Sequence, residues 1–489
     1  MVPQIRKLGA GLVIAFLALF AQLNYVQFFG AESIADREAN IRSLLQEYSV
    51  KRGDIITSDG VTVATSEKTR GRFKYRRVYP EGELYGHITG FYSVTYGKTR
   101  IESAYDDQLL GESGVLSMQD IEDRLFESGE QGEDVVLTID SELQEVARQA
   151  LGDERGAAVA IEPRTGYIKA LWSNPSYDPN GLATFSAKEA KRFWESLDPT
   201  SLRSPLVSIS TARTYPPGST FKVVTAAAAL DSGRYNRDSR FRDPVELELP
   251  LTNETLTNFT KQACADGVSI DLFTALEISC DTTFAILGLA IPDQILKTAE
   301  RFGFNDVLPF DVGSEASTFP EVPDDEEPLR AYAAIGQGDT AATPLQMALV
   351  AAGIANGGDV PRPRLVREVL DPSGSLVRSY EPETIGEAMS SSTASTLTDM
   401  MIAVVESGTG TAAAIEGIEV AGKTGTAQTV EGQNPHTWFI GFAPARNPEI
   451  AVAVIVENGG SFGSEATGGA VAAPIVKQIM EADRRISGW

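Results

Sequence analysis

Residues 418–430 read IEVAGKTGTAQTV, followed by TWFIGFAP at 437–444 and EIAVAVIVEN at 449–458. These runs are rich in β-branched and aromatic residues and are split by short breaks, a pattern that predicts three consecutive strands. Upstream, GAAVAIEP (156–163) and YIKALWS (167–173) are two more strand-like runs, joined by the turn sequence Pro163-Arg164-Thr165-Gly166. Between the two groups lie Ala-rich helical segments such as FKVVTAAAALDSG (221–233). The chain closes with a helical segment from about Gly469 to Arg485. A strand pair, helices, three strands and a final helix predict an α+β domain with a central antiparallel sheet flanked by helices. Residues 151–489 are assigned to it.

The 489 residues are too many for one ordinary core, so two or three domains are expected. Hydrophobic residues make up 42% and charged residues 22%, which marks a globular chain rather than a disordered one. A net charge of −25 argues against nucleic-acid binding, which needs basic patches. There are two cysteines and two histidines, too few for the usual four-ligand structural zinc site. No metal or cofactor is expected. With only His87 and His436 available, a histidine-free catalytic mechanism gains weight.

Arg6 and Lys7 precede an uncharged stretch from Leu8 to Ala31 whose core reads LVIAFLALFA. A membrane-crossing helix needs about 20 mostly apolar residues. No clear A-x-A cleavage site follows, so residues 1–31 are read as a cytoplasmic tip and an uncleaved signal anchor. The basic residues keep the N-terminus in the cytoplasm and put the rest of the chain outside the cell membrane. Residues 32–150 read as a small α+β pedestal, with a hairpin signal in KRGDIITSDGVTVATS (51–66) around Ser58-Asp59-Gly60. The acidic stretch PEVPDDEEP (320–328) reads as a solvated loop.

Three short motifs carry chemistry. In Pro216-Pro217-Gly218-Ser219-Thr220-Phe221-Lys222, Ser219 opens a helix and Lys222 lies three residues on, on the same face. Serine needs an adjacent base to act as a nucleophile, and a lysine can be that base if its pKa is lowered. A plain helix cap followed by a surface lysine fits the same letters. Ser279-Cys280-Asp281 sits between helical segments DLFTALEI and TTFAILGLAI, where Asp281 could simply cap the second helix. Lys423-Thr424-Gly425-Thr426 lies inside a strand, and a glycine there signals close approach by another chain or a ligand. On an edge strand, this cation with its hydroxyls would suit a peptide carboxylate added as an extra strand. Cys264 and Cys280 either form a disulfide, as an exported domain allows, or are two small buried apolar groups.

Taken in order, Ser219-x-x-Lys222, Ser279-x-Asp281 and Lys423-Thr424-Gly425 resemble the motif set of penicillin-binding proteins and class A β-lactamases. Outside the triplet, RGDIITSDG (52–60), YDDQLLG (105–111), AIEPRTGYIKALWSNPSYDPN (160–180), Ile335-Gly336-Gln337-Gly338 and residues 436–444 resemble class B penicillin-binding proteins, a likeness over nearly the whole chain. The short pedestal and the Ser-Cys-x context resemble actinobacterial members.

The resemblance implies a penicilloyl-serine transferase fold and a peptidoglycan D,D-transpeptidase that cross-links stem peptides, is inhibited by β-lactams and serves cell division and cell shape. It implies that Ser219 attacks the penultimate D-Ala carbonyl and Lys222 takes the hydroxyl proton. Ser279 relays a proton to the leaving amine, and Lys423 orients and polarises the site. Thr424, Gly425 and Thr426 bind the donor, and the backbone N–H groups of Ser219 and Thr426 form the oxyanion hole. It also implies a membrane glycosyltransferase and divisome proteins as partners, since about 120 residues between anchor and transpeptidase leave no room for a glycosyltransferase domain.

Asp281, which the resemblance places with the substrate-binding residues, departs from the pattern, which has Asn at that place. It puts a negative charge near an anionic donor unless it pairs with Lys222 or Lys423. Asn offers N–H donors, whereas an ionised Asp only accepts. Asp281→Asn is expected to raise acylation. The rival readings are a penicillin sensor or β-lactamase relative, and a non-catalytic division scaffold with a degenerate second motif.

Overall fold

The structure, a computed structural model, describes residues 41–112, 131–428 and 433–489, with Phe16 alone before them. All of the expected membrane-crossing run but Phe16 lies outside the described residues. Among the described residues, no helix is long and apolar enough to cross a membrane.

The predicted hairpin forms between β1 (Ile55–Ile56) and β2 (Thr62–Lys68). Its turn closes through Thr57 N–H to the Val61 carbonyl at 2.9 Å, and Gly60 takes the left-handed φ of +92° that the turn needs. Strands β3 (Tyr75–Val78) and β4 (Asp134–Leu137) follow. Helix α1 (Ser141–Leu151) begins where Asp140 accepts from Leu143 N–H at 2.9 Å and Asp59 accepts from Ser141 N–H at 3.1 Å. Two carboxylates thus satisfy amides that the first turn leaves without helical partners.

Strands β5 (Gly156–Ile161) and β6 (Ile168–Asn174) are the predicted pair. Helices α2 (Lys222–Asp231), α3 (Asp281–Ala290) and α4 (Pro344–Ala355) come next, then β7 (Val366–Leu370), β8 (Leu376–Ser379) and helix α5 (Ser391–Glu406). The three predicted C-terminal strands are β9 (Ala421–Ala427), β10 (His436–Ala443) and β11 (Ile450–Val456), and α6 (Ala472–Ser487) ends the fold.

The central sheet has strand order β9-β10-β11-β5-β6, antiparallel throughout. Every residue of β11 is buried, because helices cover both faces. Val452, Val454 and Val456 pack with Leu143 and Ala147 of α1 and with Ile475, Val476 and Ile479 of α6. Ala451, Ala453 and Ile455, on the opposite face by strand alternation, belong to the larger core with α2 and α4. Small residues on that face admit a helix at short range. Helix α2 is buried from Lys222 to Ala229 and mostly apolar on all sides, as suits a helix inside the core.

The pedestal sheet has order β8-β7-β4-β1-β2-β3, so a hairpin from more than 200 residues downstream extends it. Tyr105 also donates to Asp311 Oδ1 at 3.1 Å, and Asp311 in turn accepts from the backbone of Leu365 and Val366. The pedestal is therefore tied to the domain above it by a shared sheet and a shared carboxylate.

Inside the pedestal, Glu102 is 0% exposed. It receives Arg52 Nε and Arg77 Nε at 2.6 Å each and the Tyr79 hydroxyl at 3.0 Å. Burial pushes its carboxyl pKa up, but Arg77 and Arg52 override this and hold it below the ordinary carboxylate range. A depressed folded-state pKa contributes stability above the unfolded value that is lost as pH falls through the folded one. Glu102→Gln leaves Arg77 buried without its counter-charge and should cost about 3–5 kcal/mol in urea unfolding at neutral pH. A cost under about 1 kcal/mol would show that the cluster adds nothing to the pedestal.

Candidate active site

Ser219 lies in a single 3-10 turn, Gly218–Phe221, that runs straight into α2. In a 3-10 turn, side chains at i and i+3 eclipse, which stacks Lys222 beneath Ser219. The turn is braced by backbone on two sides. Gly218 donates its N–H to the Gly336 carbonyl at 2.9 Å. A Cβ on Gly218, whose φ is +53°, would sit 3.1 Å from the Thr426 carbonyl. Just upstream, the Pro216 carbonyl accepts from Trp438 Nε1 at 3.0 Å and the Tyr215 hydroxyl donates to buried Glu457 at 2.6 Å.

Gly425 faces this turn. A Cβ there would meet the Pro217 carbonyl and Thr220 Cγ2, each at 2.9 Å. The close approach expected of this strand glycine is made by the nucleophile's own segment. Strand β9 is the edge of the central sheet, so its outer backbone is available for strand addition.

Ser279 adopts a φ of +65°, a left-handed conformation rare outside glycine and frequent at functional sites. Cys280 rather than Asp281 occupies the N-cap of α3, and Asp281 is the first helical residue. The Asp281 carboxylate reaches sideways instead, taking Lys222 Nζ at 2.7 Å on Oδ1 and Phe259 N–H at 3.2 Å on Oδ2. Lys222 Nζ also donates to the Ser279 carbonyl at 2.8 Å and approaches Ser279 Oγ at 3.4 Å. Lys423 Nζ donates to Ser279 Oγ at 2.8 Å and to the Thr424 carbonyl at 3.1 Å.

The second motif thus sits between two lysines that are both 0% exposed. Burial lowers the Lys222 pKa and Asp281 opposes the shift. Burial, followed by the like charge of Lys222, pushes Lys423 well below the usual lysine range, again against Asp281.

Lys222, Ser279, Asp281 and Lys423 are brought into contact, and Ser219 sits one turn above Lys222. Thr424 and Thr426 lie on the same strand with their hydroxyls already engaged. Thr424 Oγ1 shares a hydrogen bond with Thr409 Oγ1 at 2.6 Å, and Thr426 Oγ1 accepts from Gly468 N–H at 3.4 Å. Thr409 was not anticipated. Its only sequence signal is the Ser407-Gly408-Thr409-Gly410 break before β9.

Cys264 and Cys280 are disulfide-bonded, which decides between the two sequence readings. The loop carrying Cys264 is held a second time by Asp243, whose carboxylate accepts from the backbone of Cys264, Ala265 and Gly267 at 2.7–3.0 Å. Asp243 and the two sulfurs lie close together. Sulfurs bonded to each other offer no thiolate, however, and these amides already satisfy the carboxylate.

Two outcomes follow from this geometry. Thiol titration of the denatured, unreduced protein should find no free thiol, and two would refute the bond. Gly425→Ala should push β9 and the Ser219 turn apart and cut β-lactam acylation about 100-fold while leaving the circular dichroism unchanged. An unchanged rate would mean that the contact does not position the turn.

Residues 156–481 match the penicillin-binding protein transpeptidase domain, and residues 52–135 match the penicillin-binding protein A dimerisation domain. The chain is 40% identical to the peptidoglycan D,D-transpeptidase PbpA of Mycolicibacterium smegmatis, over 98% of this chain and 99% of that one. It is similar to penicillin-binding protein A from M. tuberculosis in its ceftriaxone acyl-enzyme complex, with a TM-score of 0.85 and 38% identity. That match covers 90% of this chain and 99% of that one. Penicillin-binding protein 2 of Pseudomonas aeruginosa has a TM-score of 0.73 at 33% identity, covering 89% and 95%. With a serine turn, two buried lysines and the second motif joined at the edge of this sheet, the chain belongs to the penicillin-binding protein transpeptidase family.

Proposed function

We propose that this protein is a peptidoglycan D,D-transpeptidase that cross-links stem peptides through a serine acyl-enzyme and is a target of β-lactams. The observation that carries the reading is the meeting of Lys222, Ser279 and Lys423 at the foot of the Ser219 turn, in a pocket dry enough to lower both lysine pKa values. Near-full-length similarity to proteins named for this activity supports it.

In this reading Ser219 attacks the penultimate D-Ala carbonyl and Lys222 receives its proton. The backbone N–H groups of Ser219 and Thr426 hold the oxyanion. Ser279 lies in contact with both lysines and passes a proton to the departing D-Ala amine. Lys423, Thr424 and Thr426 receive the donor carboxylate, and an amine from a neighbouring stem peptide then takes the acyl group. The uncharged run Leu8–Ala31 anchors the chain in the cytoplasmic membrane with its N-terminus inside. Residues 32–150 serve as the pedestal of an extracytoplasmic transpeptidase domain spanning 151–489. A separate membrane glycosyltransferase makes the strands to be cross-linked, and the enzyme works with division proteins.

The test is covalent labelling of the full chain in detergent by a fluorescent penicillin, with Ser219→Ala alongside. Stable labelling that disappears in Ser219→Ala is the expected result. A label lost within minutes would indicate a hydrolase, and absence of labelling would favour the scaffold reading.

A further inference from the structure

Lys222 presents a difficulty for any mechanism in which it acts as the base. An ammonium group has three N–H donors and no lone pair. All three are directed at the second motif: the Ser279 carbonyl at 2.8 Å, Asp281 Oδ1 at 2.7 Å and, more weakly, Ser279 Oγ at 3.4 Å. Pairing with a carboxylate in this way favours the charged form of Lys222 and opposes the effect of burial, so the ammonium must lose a proton before it can accept one from Ser219. An Asn at position 281 would impose no such charge.

Burial acts in the opposite sense and disfavours the ionised pair. Lys222 is fully buried and Asp281 only 16% exposed at its side chain. The Lys222 ammonium lies 5.6 Å from the centroid of the Phe284 ring, and the second Asp281 oxygen has one backbone donor, Phe259 N–H. Two opposite charges in a dry site lose much of their solvation, and a proton moved along the 2.7 Å contact removes both charges at once.

We propose that Asp281 is the proton partner of Lys222, taking the lysine proton so that Lys222 becomes a neutral amine able to deprotonate Ser219. This rests on the reading of Ser219 and Lys222 as nucleophile and base. The proton moves from Nζ to Asp281 Oδ1, leaving an amine and a carboxylic acid. Rotation about the Cε–Nζ bond turns the new lone pair toward Ser219. The Ser219 O–H bond breaks as its proton joins Nζ, and Oγ bonds to the acyl carbon while the carbonyl electron pair moves onto oxygen. On collapse the C–N bond breaks and the leaving nitrogen gains a proton from Lys222 through the Ser279 hydroxyl. Asp281 returns its proton to Lys222, and no net proton is gained or lost. Asp281 acts through Lys222 and need not touch the substrate.

The consequence is a distinctive pH profile. The charged groups meeting here are Lys222 from α2, Asp281 from α3 and Lys423 from β9. The uncharged groups are the Ser279 hydroxyl, Phe259 N–H and the Phe284 ring. Proton transfer within the pair leaves its total proton count unchanged, so activity need not fall steeply as pH drops through the neutral range. A lone lysine base loses activity about tenfold per pH unit below its pKa.

The experiment measures the acylation rate of the full chain in detergent by fluorescent penicillin from pH 5.5 to 9, for the native protein, Asp281→Asn and Ser219→Ala. The native profile should change less than about threefold between pH 6 and 8. Asp281→Asn, freed of the ion pair, should match or exceed the native rate at the alkaline end. It should then fall about tenfold per unit on the acid side, so that the two profiles cross. Parallel acid limbs, two flat profiles, or a native limb at higher pH than the variant's would overturn the proposal. The last of these would mean that Asp281 only holds the lysine charged. A steep native acid limb suffices to overturn it even if Asp281→Asn does not fold. Ser219→Ala labelling at the native rate would remove the nucleophile reading itself, and with it the proposal. A silent Ser219→Ala leaves that reading standing while the profiles decide.

Discussion

Two ammonium groups in a dry pocket repel each other, and the site exists because the second motif is placed between them. Ser279 takes Lys423 on its hydroxyl and Lys222 on its carbonyl, while Asp281 supplies, among the described residues, the one carboxylate in contact with either lysine. The left-handed backbone at Ser279 is what allows carbonyl and hydroxyl to serve different lysines. Such a conformation persists only where its surroundings over-determine it. Here they do: the Cys264–Cys280 disulfide, the Asp243 carboxylate under three backbone amides, and Asn258 accepting from Thr282 N–H at 3.0 Å all fix the same corner.

The nucleophile needs equal precision and obtains it from backbone packing rather than charge. The 3-10 turn stacks Ser219 on Lys222, and glycines at 218, 336 and 425 let three chain segments approach to distances that a side chain would block. A lysine-based site depends on such contacts, because a base misplaced by an ångström loses most of its effect. The rigid support is the central sheet, covered on both faces, with β9 left at the edge where an extended peptide can align.

The pedestal is built on a different principle. Its core holds Glu102 beneath two arginines, an arrangement whose integrity matters more than its net contribution, since a buried charge that loses its partner is costly. The β7–β8 hairpin and the Asp311 contacts couple this unit to the sheet above. Displacement of one is therefore felt by the other.

What the residues alone determined is local and periodic. The five strands of the central sheet, the buried Ala-rich helix, the 58–60 turn and the spacing of Ser219 to Lys222 follow from hydrophobic period, turn chemistry and helical geometry over short stretches. The order of the three motifs, and their likeness to one family, specify the chemistry independently of the tertiary structure. What only the tertiary structure decided depends on residues far apart in the chain. These are the pairing of β4 with β7, the engagement of Thr424 by Thr409, the disulfide, and the turning of Asp281 from its helix end toward Lys222. No periodicity encodes a contact between Lys222 and Asp281. It arises because burial removes water from both and leaves each as the other's nearest compensation.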